Sequence, residues 1–176
     1  MLNNVNDVDW AGKGHPNIPQ LLSQLASNNR YKQTDALNRL ESDVVLGGGH
    51  SQNFDRGYGI ELIFKTDVIL HIIPFLLELI EADITTGKAS ILSLLNQMHH
   101  YKDMYDKESA YKIHVENIHD ALWEGRGLYT ELLSSNDMIV RQVALAVLMG
   151  FDEPRRSEAY ELVARRFEPK IASDDS

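Results

Sequence analysis

Between Leu21 and Phe167, apolar side chains return every third or fourth residue. A chain with that rhythm hides its apolar face by laying helix against helix, so the period is the strongest constraint on the fold. Leu21, Leu22, Leu25 and Ala26 begin it. Ala36, Leu37, Leu40, Val44 and Val45 continue it beyond the polar break Ser27-Asn28-Asn29. Ile69, Ile72, Ile73, Leu76, Leu77 and Ile80 form a broad stripe, and Ile91, Leu92, Leu94, Leu95 and Met98 form another. Tyr111, Val115, Ile118 and Leu122 share one face, as do Val140, Val143, Ala144, Val147 and Leu148. Tyr160, Val163, Ala164 and Phe167 close the series. About seven helices are predicted. The two densest, over 66–81 and 86–104, should form the buried centre.

Local punctuation agrees. Asn136 or Asp137 can cap the helix carrying Val140, and Thr85 or Thr86 the helix carrying Ile91. Pro154 suits the start of a last helix, and Gly127 and Gly150 suit helix ends. One segment departs from the pattern. Residues 47–59 hold five glycines, each costing about 1 kcal/mol in a helix interior, which predicts an inserted loop. The following Ile60 to Phe64 reads as a helix start or a short strand.

With 176 residues the chain is sized for one domain, placed at 1–170, with a polar tail at 171–176. The absence of cysteine rules out disulfides, Cys-based metal sites and a thiol nucleophile. A net charge of -9 opposes a phosphate-binding surface and suits a basic partner. Residues 1–10 lack the basic and apolar regions of a secretory signal. The longest apolar stretch, 68–80, is broken by His71, Pro74 and Glu78 and falls short of the about 20 residues a membrane span needs. A cytoplasmic protein with no membrane or nucleic-acid partner is expected.

The helices also repeat. Ile18-Pro19-Gln20-Leu21-Leu22 returns as Ile73-Pro74-Phe75-Leu76-Leu77, and Gly127 to Leu133 opens a third copy without the proline. The stretch from Leu25 to Leu40 parallels that from Leu132 to Leu148 with one residue of slippage. Such hairpins bury a continuous core by stacking. The run Asn136 to Gly150 resembles the second helix of a HEAT repeat. Asp137, Val140, Arg141, Ala144 and Leu148 occupy the positions of that pattern, and the first copy departs from it with Lys32-Gln33 in place of Val-Arg. The resemblance implies an all-α α-α superhelix, a HEAT-like solenoid. It also implies similarity to bacterial HEAT-repeat immunity-type proteins, which bind a cognate toxin and block it.

Catalytic signatures are sparse. Gly87-Lys88-Ala89-Ser90 lacks the upstream glycine of a phosphate loop. His99 and His100 are adjacent and diverge on a helix. Glu116 and His119 make a single Glu-x-x-His, where a di-iron bundle needs two. No metal or cofactor is expected. Each histidine reads as structural.

Two features point to partner binding. Acidic residues outnumber basic ones eight to four over 61–110 and twelve to eight over 111–176. Asp35, Glu41, Asp43, Asp103 and Asp106 fall on candidate second helices, where they could form an acidic docking face. In the glycine-rich loop, His50, Phe54, Arg56 and Tyr58 combine aromatics and arginine, common interface anchors. The reading is therefore a non-catalytic protein-binding module whose partner is a basic toxin domain. Two alternatives stay open: a scaffold adaptor, and a HEAT-like nucleic-acid enzyme of the DNA glycosylase kind. The latter would draw on Trp10 and Trp123 with Arg155, Arg156, Arg165 and Arg166.

Overall fold

A computed structural model describes residues 2, 4–45, 58–82, 87–99 and 112–168. Within them the chain is all-helical, with eight α-helices and no strand. They are α1 (Ile18–Leu25), α2 (Arg30–Leu40), α3 (Tyr58–Glu81), α4 (Lys88–His99), α5 (Lys112–Glu124), α6 (Arg126–Leu132), α7 (Met138–Met149) and α8 (Arg155–Phe167). A 3-10 turn, Val5–Asp7, precedes them, and a π turn, Glu41–Val45, follows α2.

Neighbouring helices fall into two rows. In one, α1 meets α3, α3 meets α5, and α6 meets α8; in the other, α2 meets α4 and α4 meets α7. The rows join through the α1–α2, α3–α4, α4–α5, α6–α7 and α7–α8 pairs. The central pair, α3 and α4, is the most deeply buried, as its apolar density predicts. Val68, Ile69, Ile72, Ile73, Leu76, Leu79 and Ile80 of α3 meet solvent hardly at all, nor do Ile91, Leu92, Leu95 and Met98 of α4. Burying each such side chain contributes about 1.5–3 kcal/mol. A single connected core runs from Val5 to Ala159.

The first and third hairpins share one register, and it has no slippage. Adding 108 to a residue of α1–α2 gives its counterpart in α6–α7, because α2 starts at Arg30 and α7 at Met138. Asn29 caps α2, its Oδ1 accepting from the backbone N–H of Tyr31 at 3.0 Å and Lys32 at 3.1 Å. Asp137 caps α7 in the same way, accepting from Ile139 at 2.8 Å and Val140 at 3.3 Å. Four residues beyond each cap, a long polar side chain reaches back to the turn. Gln33 Nε2 donates to the Ser27 carbonyl at 2.6 Å, and Arg141 donates to the Ser135 carbonyl at 2.5 Å. Carbonyls at a helix end would otherwise lack a partner. Ala36 and Ala144, and likewise Leu40 and Leu148, are fully buried at matching positions.

Several elements differ from the expectations. The helix predicted from residue 66 begins at Tyr58, so Tyr58 and Gly59 belong to its first turn and not to the loop; residues 46–57 lie outside the described ones. Ile73-Pro74 lies mid-helix, whereas Ile18-Pro19 opens α1. Pro19 gives up an N–H that has no helical partner, while Pro74 removes one from the helix interior. The eighth helix arises because the first helix of the third hairpin divides at Gly125. Gly125, not Gly127, stands at the boundary, and Gly127 lies within α6. A Cβ on Gly125 would stand 2.6 Å from the Tyr129 ring and 2.7 Å from Leu77, so the ring folds back over a position that must be glycine. The stripe of α8 also turns out differently. Ala159 is buried and Val163 half-buried, but Tyr160 and Phe167 are 59% and 63% exposed. Helix α8 packs chiefly on α6 and α7, and its buried face is narrow.

An arm ahead of α1 lies along α3. The Leu2 N–H donates to Glu78 Oε1 at 2.6 Å, Lys13 pairs with Asp67, and the buried Trp10 sits 6.4 Å from His71 and 6.3 Å from Phe75.

Candidate partner-binding surface

Helix α2 is set by its Asn29 cap and by a narrow buried stripe of Gln33, Ala36 and Leu40. Leu37 is half-buried against the core, and the remaining positions are exposed. Tyr31 lies off that stripe and is 89% exposed, the most exposed large apolar side chain described. Around it, Gln24, Asn29, Arg30, Lys32 and Asp35 border an open depression of about 830 Å³. A second hollow, about 300 Å³, lies where α2 meets α4. Leu37 and Leu94 supply its apolar wall, and Glu41, Ser90, Ser93 and Gln97 its polar one. Thr34 and Asn38 border both hollows, so the two form one continuous surface.

The expected site residues distribute unevenly. Asp35 borders the first hollow, and the half-buried Glu41 borders the second, with Oε1 accepting from Gln97 Nε2 at 2.8 Å. Asp43 falls in the π turn and Tyr58 at the start of α3. His50, Phe54, Arg56, Asp103 and Asp106 lie outside the described residues. The surface also recruits Tyr31, Thr34, Asn38, Ser90, Ser93 and Gln97, which the sequence did not single out. For Tyr31 a signal existed, since a tyrosine outside the apolar stripe of its own helix has no core to fill.

The charge on this row is mixed. Arg30, Lys32 and Arg39 stand against Asp35 on α2, α4 carries Lys88 and no carboxylate, and α7 carries Arg141. Carboxylates gather on the other row, as Asp67, Glu78 and Glu81 of α3 and Glu116, Asp120 and Glu124 of α5. Asp137 serves as a cap, and Asp152 pairs with Arg156 at 3.6 Å.

The arginines of α8 are engaged within the chain. Arg155 pairs with Asp120, Arg156 with Asp152, and Arg165 with Glu161 at 2.9 Å; Arg166 donates to Ser134 Oγ at 2.8 Å. Trp123 packs on Phe151 and under Arg126, while Trp10 sits at the other end of the chain against α3. These groups do not form one basic aromatic track.

His99 and His119 are buried beside each other, 5.3 Å between ring centroids, and both contact Phe151. Among the described residues, no group of three or more His, Asp or Glu is placed to hold a metal ion, and no helix is long and apolar enough to cross a membrane. Burial pushes the Tyr129 phenol well above its ordinary range, because a phenolate would lose its hydration there. Compared with protein-family models, curated proteins and solved structures, the chain matches none.

Proposed function

We propose that this chain is a non-catalytic protein-binding module, a short HEAT-like solenoid that docks its partner on the α2–α4 surface. The observation that carries the reading is Tyr31, a large aromatic held in the open on a well-capped helix at the border of the larger hollow. An exposed aromatic with polar neighbours is the usual anchor of a docking patch. The matching caps and turn ties of the first and third hairpins support a repeat architecture. The resemblance to immunity-type proteins makes a toxin domain the specific candidate, and the mixed charge of this row suits a partner surface that carries both signs.

The test is co-purification from the native cell followed by growth rescue. A stoichiometric partner should be retained by the wild-type chain, lost with Tyr31→Ala, and identified as a protein whose expression alone arrests growth. Retention by Tyr31→Ala as strong as wild type would reject this surface. A partner that does not arrest growth would reject the toxin assignment. Retardation of DNA or RNA in a low-salt gel-shift assay would favour the nucleic-acid alternative instead.

A further inference from the structure

We propose that the chain pairs with a second copy of itself through the outward face of α7, as a two-fold dimer centred on Gln142. The inference is separate from the docking reading above and uses a different helix.

The argument begins with the composition of α7. A helix that is apolar on every side belongs in a core, because a surface helix keeps charge on the side that meets water. From Met138 to Met149 there is one charged side chain, Arg141, and it is turned back to the Ser135 carbonyl. Val140, Ala144, Val147 and Leu148 fill the buried side. On the other side, Met138, Ile139 and Leu145 are 59%, 56% and 40% exposed, and Gln142 and Ala146 are exposed with them. Steps of three, four and seven residues put these five on one face. Of the seven large apolar side chains exposed among the described residues, five lie on α7 and α8, so the excess is local to the last two helices. The shared register does not demand it. Arg30 and Asn38 of α2 stand where α7 has Met138 and Ala146.

What fits this face is the face itself. In two antiparallel copies related by a two-fold axis at Gln142, each residue meets the one equally far along on the other side of that position. Ile139 then meets Leu145, and the long Met138 meets the small Ala146. Gln142 meets its own copy. An amide both donates and accepts, so it pairs with itself, which a carboxylate or an ammonium does not. Charge points the same way. At -9, two copies repel one another. The repulsion is greatest where carboxylates gather on α3 and α5, while α7 carries none. A strongly charged foreign partner finds no countercharge on this face. One helix face per copy falls short of the about 800 Å² per partner that a stable complex buries, so pairing depends on concentration.

The test is sedimentation equilibrium of the full-length chain from about 10 µM to about 1 mM, the range of a weak complex. The average mass should rise from one chain towards two and not beyond. Leu145→Glu should weaken pairing at least tenfold. Gln142→Glu and Gln142→Lys should each do the same alone, because like charges then meet on the axis. An equimolar mixture of the two should pair at least tenfold more tightly than either by itself. Position 142 is exposed, so both variants keep the fold, and far-ultraviolet circular dichroism verifies that they do. A chain that stays monomeric throughout, growth beyond two chains, or a dimer indifferent to Leu145→Glu would overturn the proposal. So would a mixture that pairs no better than its components, since only a contact of 142 with 142 gives that recovery. Tyr31→Ala should leave the dimer unchanged; loss of pairing in that variant would place the contact on α2 and overturn the assignment to α7.

Discussion

The first and third hairpins are built to one plan and used differently. Both carry an Asx cap, a tie from the fourth residue after it, a buried alanine and a buried leucine at matching positions. Yet α7 packs on α4, α6 and α8, while α2 lies chiefly on α1 and the π turn. Position 32 is an exposed lysine and its counterpart 140 a buried valine. The plan therefore resides in the turn and the helix starts. The other faces differ: α7 is packed on several neighbours, and α2 leaves most of its surface exposed.

That contrast can be broken first in the core. Leu148→Ala should cost about 2–5 kcal/mol, and Leu40→Ala should fall near the lower end of that range, because the thinner surroundings of α2 collapse more readily onto the gap. Urea unfolding followed by circular dichroism reads both; equal losses would mean that the two hairpins are equally embedded.

The helix boundaries come next. Gly125 corresponds to Asn17, and each precedes its helix without a side-chain cap. Asn17 keeps a side chain because position 21 is a leucine; Gly125 must be bare because Tyr129 folds over it. Gly125→Ala should cost about 1–3 kcal/mol through overpacking, whereas Asn17→Ala should stay within about 0.5 kcal/mol. Thermal melts of the pair decide the matter. A silent Gly125→Ala would remove the reason offered for the division of α5 from α6.

The caps should sharpen the likeness. Asn29→Ala and Asp137→Ala should each cost about 1 kcal/mol. A difference of more than about twofold between them would show that the shared geometry does not carry shared energetics.

The smallest effect is at Tyr129, whose counterpart Leu21 has no hydroxyl. The Tyr129 hydroxyl is buried without a hydrogen-bond partner among the described residues, so Tyr129→Phe should be neutral or stabilising by about 1 kcal/mol. Burial raises its folded pKa above the unfolded value of 10.0. Above pH 10 the unfolded chain therefore releases a proton that the folded chain retains, and stability falls as pH rises. Tyr129→Phe should flatten that alkaline limb; an unchanged limb would assign it to other groups.

The helical content and the buried centre were legible because a 3.6-residue period leaves few alternatives. The start of α3 was not. Gly57 and Gly59 argue for a loop by local propensity, yet glycine costs little at a helix start, and the helix begins at Tyr58. The likeness of the two hairpins was read with a one-residue slip, because Ser27-Asn28-Asn29 matches Ser134-Ser135-Asn136 by residue type, whereas the caps at Asn29 and Asp137 align the two turns without it. In the candidate surface, Asp35 and Glu41 were marked by charge. Ser90, Ser93 and Gln97 carry no motif, and they become a site only when folding brings Gln97 to a residue 56 positions away.

Trp10 and Trp123, the two tryptophans of the chain, occupy opposite ends of this plan, one in the arm against α3 and the other against Phe151. Their emission is thus a pair of built-in optical reporters. With Trp10→Phe and Trp123→Phe made separately, each variant would fluoresce from one end of the molecule. Coincident unfolding curves would describe a single all-or-none transition, and separated ones a chain that opens hairpin by hairpin.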